Sequence, residues 1–305
     1  LTHNNNKQPH THTTTNNTHA RARAPHPAYR QSDLTLLDEI GAPLILHNLR
    51  KRFESSKIYS NIGNILVSVN PYVRLPLYGE DTIRKYKNRR QGEIMPPHVY
   101  DIAHDSFYRM TSFQKLQSIV ISGESGAGKT ECTKQALQYL AAIAGSTNNV
   151  EQKILSANPV LEAFGNAKTL RNDNSSRFGK YMEIFFDHNN RISGCATENY
   201  LLEKIRVVMP GEGERNFHIF YQLCVAAPPA LRKRLHLKTD PGKYDYLKTC
   251  VDVDGMDDEK EFKDVMAAFE ALDFADEERD GMYDMVAAIL ALGHVKFREA
   301  RPDES

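Results

Sequence analysis

Apolar residues recur at helical spacing over positions 43–53, and ahead of them Ser32 or Asp33 is placed to cap a short helix. A short β-rich run at 65–69 is ended by Asn70 and Pro71, and a second at 117–122 runs into a glycine-rich turn. Helix-forming residues then occupy 129–144 and stop at Gly145. Strand, loop and helix therefore follow one another in the order of an α/β nucleotide-binding unit. Past a polar connector at 145–149, a further helical stretch reaches about Phe164. Positions 178–187 and 191–199 predict two strands of a hairpin joined by Asp187, His188, Asn189 and Asn190. Helical periodicity returns at 216–227 and 259–292, which predicts helices against the sheet.

Residues 1–31 break this pattern. Asn, Thr, His and Pro dominate up to about Arg30, with no acidic residue and little to bury, so this tail is expected to be disordered and the folded unit to span 32–305. Its five histidines are irregularly spaced and receive no metal-binding role.

Composition narrows the function classes. Lys plus Arg and Asp plus Glu both number 39, so no global field favours nucleic acid or an anionic membrane. The four cysteines, Cys132, Cys195, Cys224 and Cys250, form no CxxC pair, which fits a reducing, cytosolic setting better than a disulfide framework or a zinc site. The longest apolar stretch falls far short of the ~20 residues that span a bilayer, and the first residues lack the apolar centre of a secretory leader. A start at Leu1 and an end at Ser305 read as a fragment at both ends.

The chemistry gathers at Gly123, Glu124, Ser125, Gly126, Ala127, Gly128, Lys129 and Thr130, which read GESGAGKT and match the phosphate-loop pattern. Glycines let successive N–H groups wrap phosphates, Lys129 supplies positive charge to the β and γ phosphates, and Thr130 offers a hydroxyl to magnesium. The helix beginning there adds the positive end of its dipole. A second polar cluster at 172–180, NDNSSRFGK, is by itself an ordinary loop before a strand at 181–186; beside a phosphate loop, its hydroxyls and arginine gain a role toward metal and developing charge. Two other patterns are weaker. Asp187 ends an apolar run as a magnesium-binding aspartate would, yet it also opens a hairpin turn. The DVDG run at 252–255 matches a γ-phosphate sensor at only two positions.

Taken together, GESGAGKTE, NDNSSRFGK, ILVSVNPY, LLEKIRVV and GERNFHIFYQL resemble, in order, the motor head of the myosin family, from about Asp33 to Phe297. The resemblance implies a phosphate-loop NTPase core with a mixed central β-sheet flanked by helices, ATP and Mg2+ as ligands, and, for the whole protein, ATP hydrolysis coupled to actin filaments. Light chains or calmodulin and a place in the cytoskeleton are implied in the same way. It aligns Asn70, Pro71, Arg74 and Tyr78 with the loop along the adenine and 172–180 with the first switch. There Ser176 would join Thr130 on magnesium, Ser175 and Asn172 would position the γ-phosphate and attacking water, and Arg177 would pair with a glutamate of a second switch. That second switch is not found before Ser305, so the piece is expected to bind nucleotide yet lack a complete catalytic set. The alternatives are a nucleotide-binding interaction module without motor activity, or another phosphate-loop ATPase. Cys132, Val73 and Ile205 depart from the family pattern, and Cys132, near a helix N-terminus, is either a redox-sensitive thiol or a small buried residue.

Overall fold

The computed structural model describes residues 31–90, 92–145 and 150–297. Apart from Gln31, the expected disordered tail lies outside the described residues, as do positions 146–149 of the polar connector.

The folded unit opens where a cap was expected. The Asp33 carboxylate accepts from Thr35 N at 2.9 Å and caps a short 3-10 turn, Leu34–Leu36. Helix α1 (Ala42–Phe53) carries Pro43 in its first turn and Arg50, Lys51 and Arg52 in its last, where cations oppose the negative end of the dipole. Buried Arg52 donates to Ser60 Oγ and to Tyr59 O, tying the helix to strand β1 (Tyr59–Ile62). The predicted strand at 65–69 is β2 (Ile65–Ser68), paired antiparallel with β1 around Gly63, whose φ is +57°. Helices α2 (Glu80–Lys87) and α3 (Val99–Phe113) were not anticipated. The cap of α3 is the His98 ring, whose Nδ1 accepts from Tyr100 N. Helix α4 (Lys129–Ala144) forms over the predicted residues and closes at Gly145, φ +70°. A first core joins Tyr59, Tyr86, Tyr100, Tyr139 and Leu140, with the Tyr100 and Tyr139 rings stacked 4.7 Å apart.

The single helix expected up to Phe164 is two, α5 (Val150–Ser156) and α6 (Asn158–Gly165). Pro159 has no N–H to offer the Leu155 carbonyl four residues back, and Asn158 Nδ2 donates to that carbonyl instead at 3.1 Å. Next come β3 (Asn166–Thr169), β4 (Asn172–Ser176), β5 (Gly179–Phe186) and β6 (Ile192–Tyr200). The cluster at 172–180 is thus not a plain loop: its first half is β4, while Gly179 and Lys180 already lie in the strand predicted over 178–187. Thr169 makes this possible, its hydroxyl donating to Asn172 O and accepting from Asn172 N, so that β3 turns directly into β4. The predicted hairpin is present as β5 and β6. Its turn is held by Asp187, which accepts from Asn189 N and Arg191 N, and Asn190 takes a φ of +59°.

A second core gathers on α7 (His218–Ala226), α8 (Pro229–Arg234), α9 (Asp258–Ala271) and α10 (Asp276–Leu292), with Tyr221, Leu223, Leu247, Phe269, Tyr283 and Leu290 buried together. The periodic stretch at 259–292 breaks after Ala271, where Asp273 adopts φ +59° and Ala275 N donates to Glu278 Oε2. The DVDG run forms a turn ahead of α9, with Met256 N donating to Val253 O.

Two expectations about the sheet are corrected. Residues 117–122 join no ladder, and Leu116 and Val120 are 98% and 88% exposed. β propensity alone does not make a strand, because the amides must be met by a neighbour, and among the described residues none pairs with this run. Nor do the described strands form a central mixed sheet. They make separate two-stranded antiparallel ladders, β1 with β2, β3 with β4 and β5 with β6. Among the described residues, no helix is long and apolar enough to cross a membrane.

Candidate functional site

The phosphate loop passes from Gly123 directly into α4. Gly126 and Gly128 have φ of +78° and +90°, conformations that side chains disfavour, and a Cβ on Gly126 would stand 3.2 Å from Tyr72 Oη. These angles turn the loop tightly enough for its amides and the first amides of α4 to face a common anion. Lys129, the first residue of α4, folds back so that Nζ donates to Gly123 O at 2.8 Å and Glu124 O at 3.0 Å. Its charge is therefore held over the loop, solvated by carbonyls that a phosphate would outcompete.

The segment that the resemblance aligns with the adenine loop reaches the phosphate loop through Asn70. Its Nδ2 donates to Gly126 O at 2.7 Å, while its Oδ1 accepts from Tyr72 N at 3.0 Å. Pro71 is half-buried and Arg74 exposed. The Tyr78 hydroxyl lies 2.6 Å from that of Tyr59, and burial raises its phenol above the ordinary range.

Strand β4 supplies the third side. Ser175, buried, shares a 2.8 Å hydrogen bond with Ser125 of the phosphate loop, while Ser176, next along the strand, is exposed. Asn172 lies against Gly126 and exchanges hydrogen bonds with the Asn174 backbone. Arg171 meets Glu124 in an exposed ion pair. Thr130 is half-buried at the start of α4, and among the described residues no hydrogen bond joins it to Ser176.

Arg177 donates through Nη1 to Ser175 Oγ at 3.1 Å and through Nε to Glu203 Oε2 at 2.7 Å. The resemblance implies a second-switch glutamate as its partner; in this structure the partner is the glutamate of LLEKIRVV. Burial works to raise the Glu203 carboxyl, but its bonds to Arg177 and Arg206 outweigh this and hold it below the ordinary carboxylate range. Glu203, Tyr72 and the Ser125 to Ser175 bond escaped the sequence reading. No spacing rule links positions so far apart, although LLEKIRVV had already been singled out without a role.

Among the described residues, no cluster of three His, Cys, Asp or Glu side chains is placed to hold a metal. Magnesium at a phosphate loop keeps several waters and takes a Ser or Thr hydroxyl and phosphate oxygens, so the lack of such a cluster does not speak against it. Asp187 is committed to its turn, where the Arg191 amide does most to hold its carboxyl below the usual range. Cys132 is the small, partly buried residue of the two readings: burial pushes its thiol up, and its sulfur lies 3.9 Å from Ser68 Oγ.

The sequence model described as Myosin head (motor domain) matches residues 31–305. The high molecular weight form of myosin-1 from Acanthamoeba castellanii is 50% identical over 274 residues, covering 87% of this chain and 17% of that protein. Myosin ID heavy chain of Dictyostelium discoideum is 47% identical over 279 residues, covering 90% and 25%, and human unconventional myosin-Ib 44% identical over 270 residues, covering 87% and 24%. The chain thus spans a quarter or less of the length of these relatives.

Proposed function

The chain belongs to the myosin head family, and on that premise we propose that it is the ATP-binding part of an actin-based motor of the cytoskeleton. The observation that carries this reading is the convergence of two distant segments on the phosphate loop, Asn70 on Gly126 O and Ser175 on Ser125. Adenine-side loop, phosphate loop and first switch meet where a triphosphate would lie.

In this reading the loop amides and Lys129 hold the β and γ phosphates. Lys129 can turn to them by giving up Gly123 O and Glu124 O, with no change in backbone. Asn70, Pro71, Arg74 and Tyr78 border the base. Thr130 and Ser176 would hold magnesium, which supplies charge compensation to the phosphate oxygens when bound. Ser175 and Asn172 position the terminal phosphate and the attacking water, and Arg177 would close the site by pairing with a glutamate of a second switch. Hydrolysis, the response to actin and the binding of light chains or calmodulin belong to the whole protein.

The test is binding of a fluorescent ATP analogue with magnesium to this chain. Lys129→Ala removes the loop's own cation and is expected to weaken binding by at least ~30-fold. Undiminished affinity in that variant would refute the reading.

A further inference from the structure

We infer that Tyr59 is a positioning residue for base recognition: from the interior, its hydroxyl holds that of Tyr78 in the place from which Tyr78 meets the base of a nucleoside triphosphate. The inference rests on the reading above for what Tyr78 borders, and adds a residue to which no motif gave a role. Tyr59 is 4% exposed, and its Oη lies 2.6 Å from that of half-buried Tyr78. Among the described residues, each hydroxyl has the other as its hydrogen-bond partner.

Tyr59 is a fixed post. Its carbonyl accepts from buried Arg52 Nη2 at 2.6 Å, and its ring stands edge-on to His98 with 5.0 Å between centroids. The β1 to β2 ladder pairs it with Ser68, and the adjoining Ile58 O accepts from Val69 N at 3.0 Å, immediately before Asn70. The segment 70–78 is thereby held to β1 by backbone where it begins and by the two hydroxyls where it ends. Between these points the chain is open, with Tyr72 76% and Val73 65% exposed. The Tyr78 ring packs on His98 and Tyr100, at 5.5 and 6.2 Å. Such packing places the phenol without choosing where its hydroxyl hydrogen points. The bond to Tyr59 does choose: one hydrogen serves the pair, so what remains on Tyr78, a hydrogen or a lone pair, has a set direction. Turning Tyr78 away would strand the Tyr59 hydroxyl out of water, which opposes the movement.

The experiment uses the magnesium complexes of ATP and of tripolyphosphate, which offers phosphates without a base, to displace a fluorescent ATP analogue from the full chain and its variants. Tyr59→Phe should weaken ATP about fivefold, the range of one neutral hydrogen bond, and leave tripolyphosphate unchanged. Tyr78→Phe should weaken ATP at least as much, and adding Tyr59→Phe to it should cost no more. Unchanged ATP affinity in Tyr59→Phe, an equal loss for both ligands, or a further loss in the Tyr78→Phe background overturns the proposal. Urea denaturation tests the pair without a ligand. Tyr78→Phe strands the buried hydroxyl and should lower the midpoint, and the double variant should recover part of that loss; additive losses would show that the hydroxyls are not paired. Should the wild-type chain not bind ATP, the functional reading fails. A wild-type chain that binds ATP no better than tripolyphosphate removes the base contact, and with it this proposal alone.

Discussion

Ser125 and Ser175, fifty positions apart, place their hydroxyl oxygens 2.8 Å from one another and so join the phosphate loop to strand β4. Ser175 also accepts from Arg177, so one buried hydroxyl serves two segments. Ser125→Ala and Ser175→Ala should each cost about 1 kcal/mol of stability, and the double variant less than their sum. Urea denaturation of the four chains provides the cycle; strict additivity would mean that the two hydroxyls do not interact.

Gly126 combines a positive φ with crowding by Tyr72 Oη. Gly126→Ala should reduce affinity for an ATP analogue, because the loop must absorb roughly 1–2 kcal/mol of backbone strain or change course. Adding Tyr72→Phe removes the crowding oxygen but leaves the dihedral, so recovery should be partial. Full recovery would assign the whole effect to the contact.

A buried pair fixes α9 to the chain ahead of α7. Arg215, 1% exposed, meets Asp258 Oδ2 at 2.6 Å and lies over the Tyr221 ring at 3.6 Å. Asp258→Ala leaves that guanidinium buried without its ion-pair partner, and about 3 kcal/mol of stability should be lost. A denaturation midpoint near that of the wild type would show that the ring alone suffices.

His218 has no hydrogen-bond partner for either ring nitrogen among the described residues, and burial lowers its pKa from 6.5 to about 3. Burial likewise lowers His98 from 6.5 to about 4. The folded chain keeps both rings neutral while the unfolded chain takes up protons below 6.5. Stability should therefore fall as pH drops from about 6.5 towards 4, and for His218 on towards 3, at up to ~1.4 kcal/mol per pH unit for each ring. His218→Leu breaks no hydrogen bond and should flatten this slope; an unaltered slope would place the proton uptake elsewhere.

Asp187 separates this site from that of an ATPase using an aspartate at a strand end for magnesium. Its carboxylate already accepts from two turn amides and the Arg191 side chain. Asp187→Asn should leave magnesium-dependent nucleotide binding intact, and loss of that binding would restore the competing assignment.

What the sequence disclosed and what it withheld divide along contact range. Helix α4 and the β5 to β6 hairpin were legible because their signals are local, Gly145 at a helix end and an aspartate-led turn at 187–190. The glycine angles of the phosphate loop followed from its motif in the same way. The run at 117–122 misled because its composition suits a strand, whereas a ladder depends on a neighbour that composition does not supply. Glu203 is a further case: its charge was visible, but its pairing with Arg177 depends on where β6 delivers the chain.

The junction of α5 and α6 has an implication for how this chain tolerates substitution. Positions 158 and 159 form one unit of change, since the proline withholds a donor and the asparagine amide restores it. Exchanging that amide nitrogen for oxygen, as in Asn158→Asp, would set a carboxylate against the Leu155 carbonyl and turn a settled bend into a repulsive one. Replacing Pro159 with an ordinary residue would return the donor to the backbone and release Asn158 from its duty, so whichever position is altered first decides what the other can become.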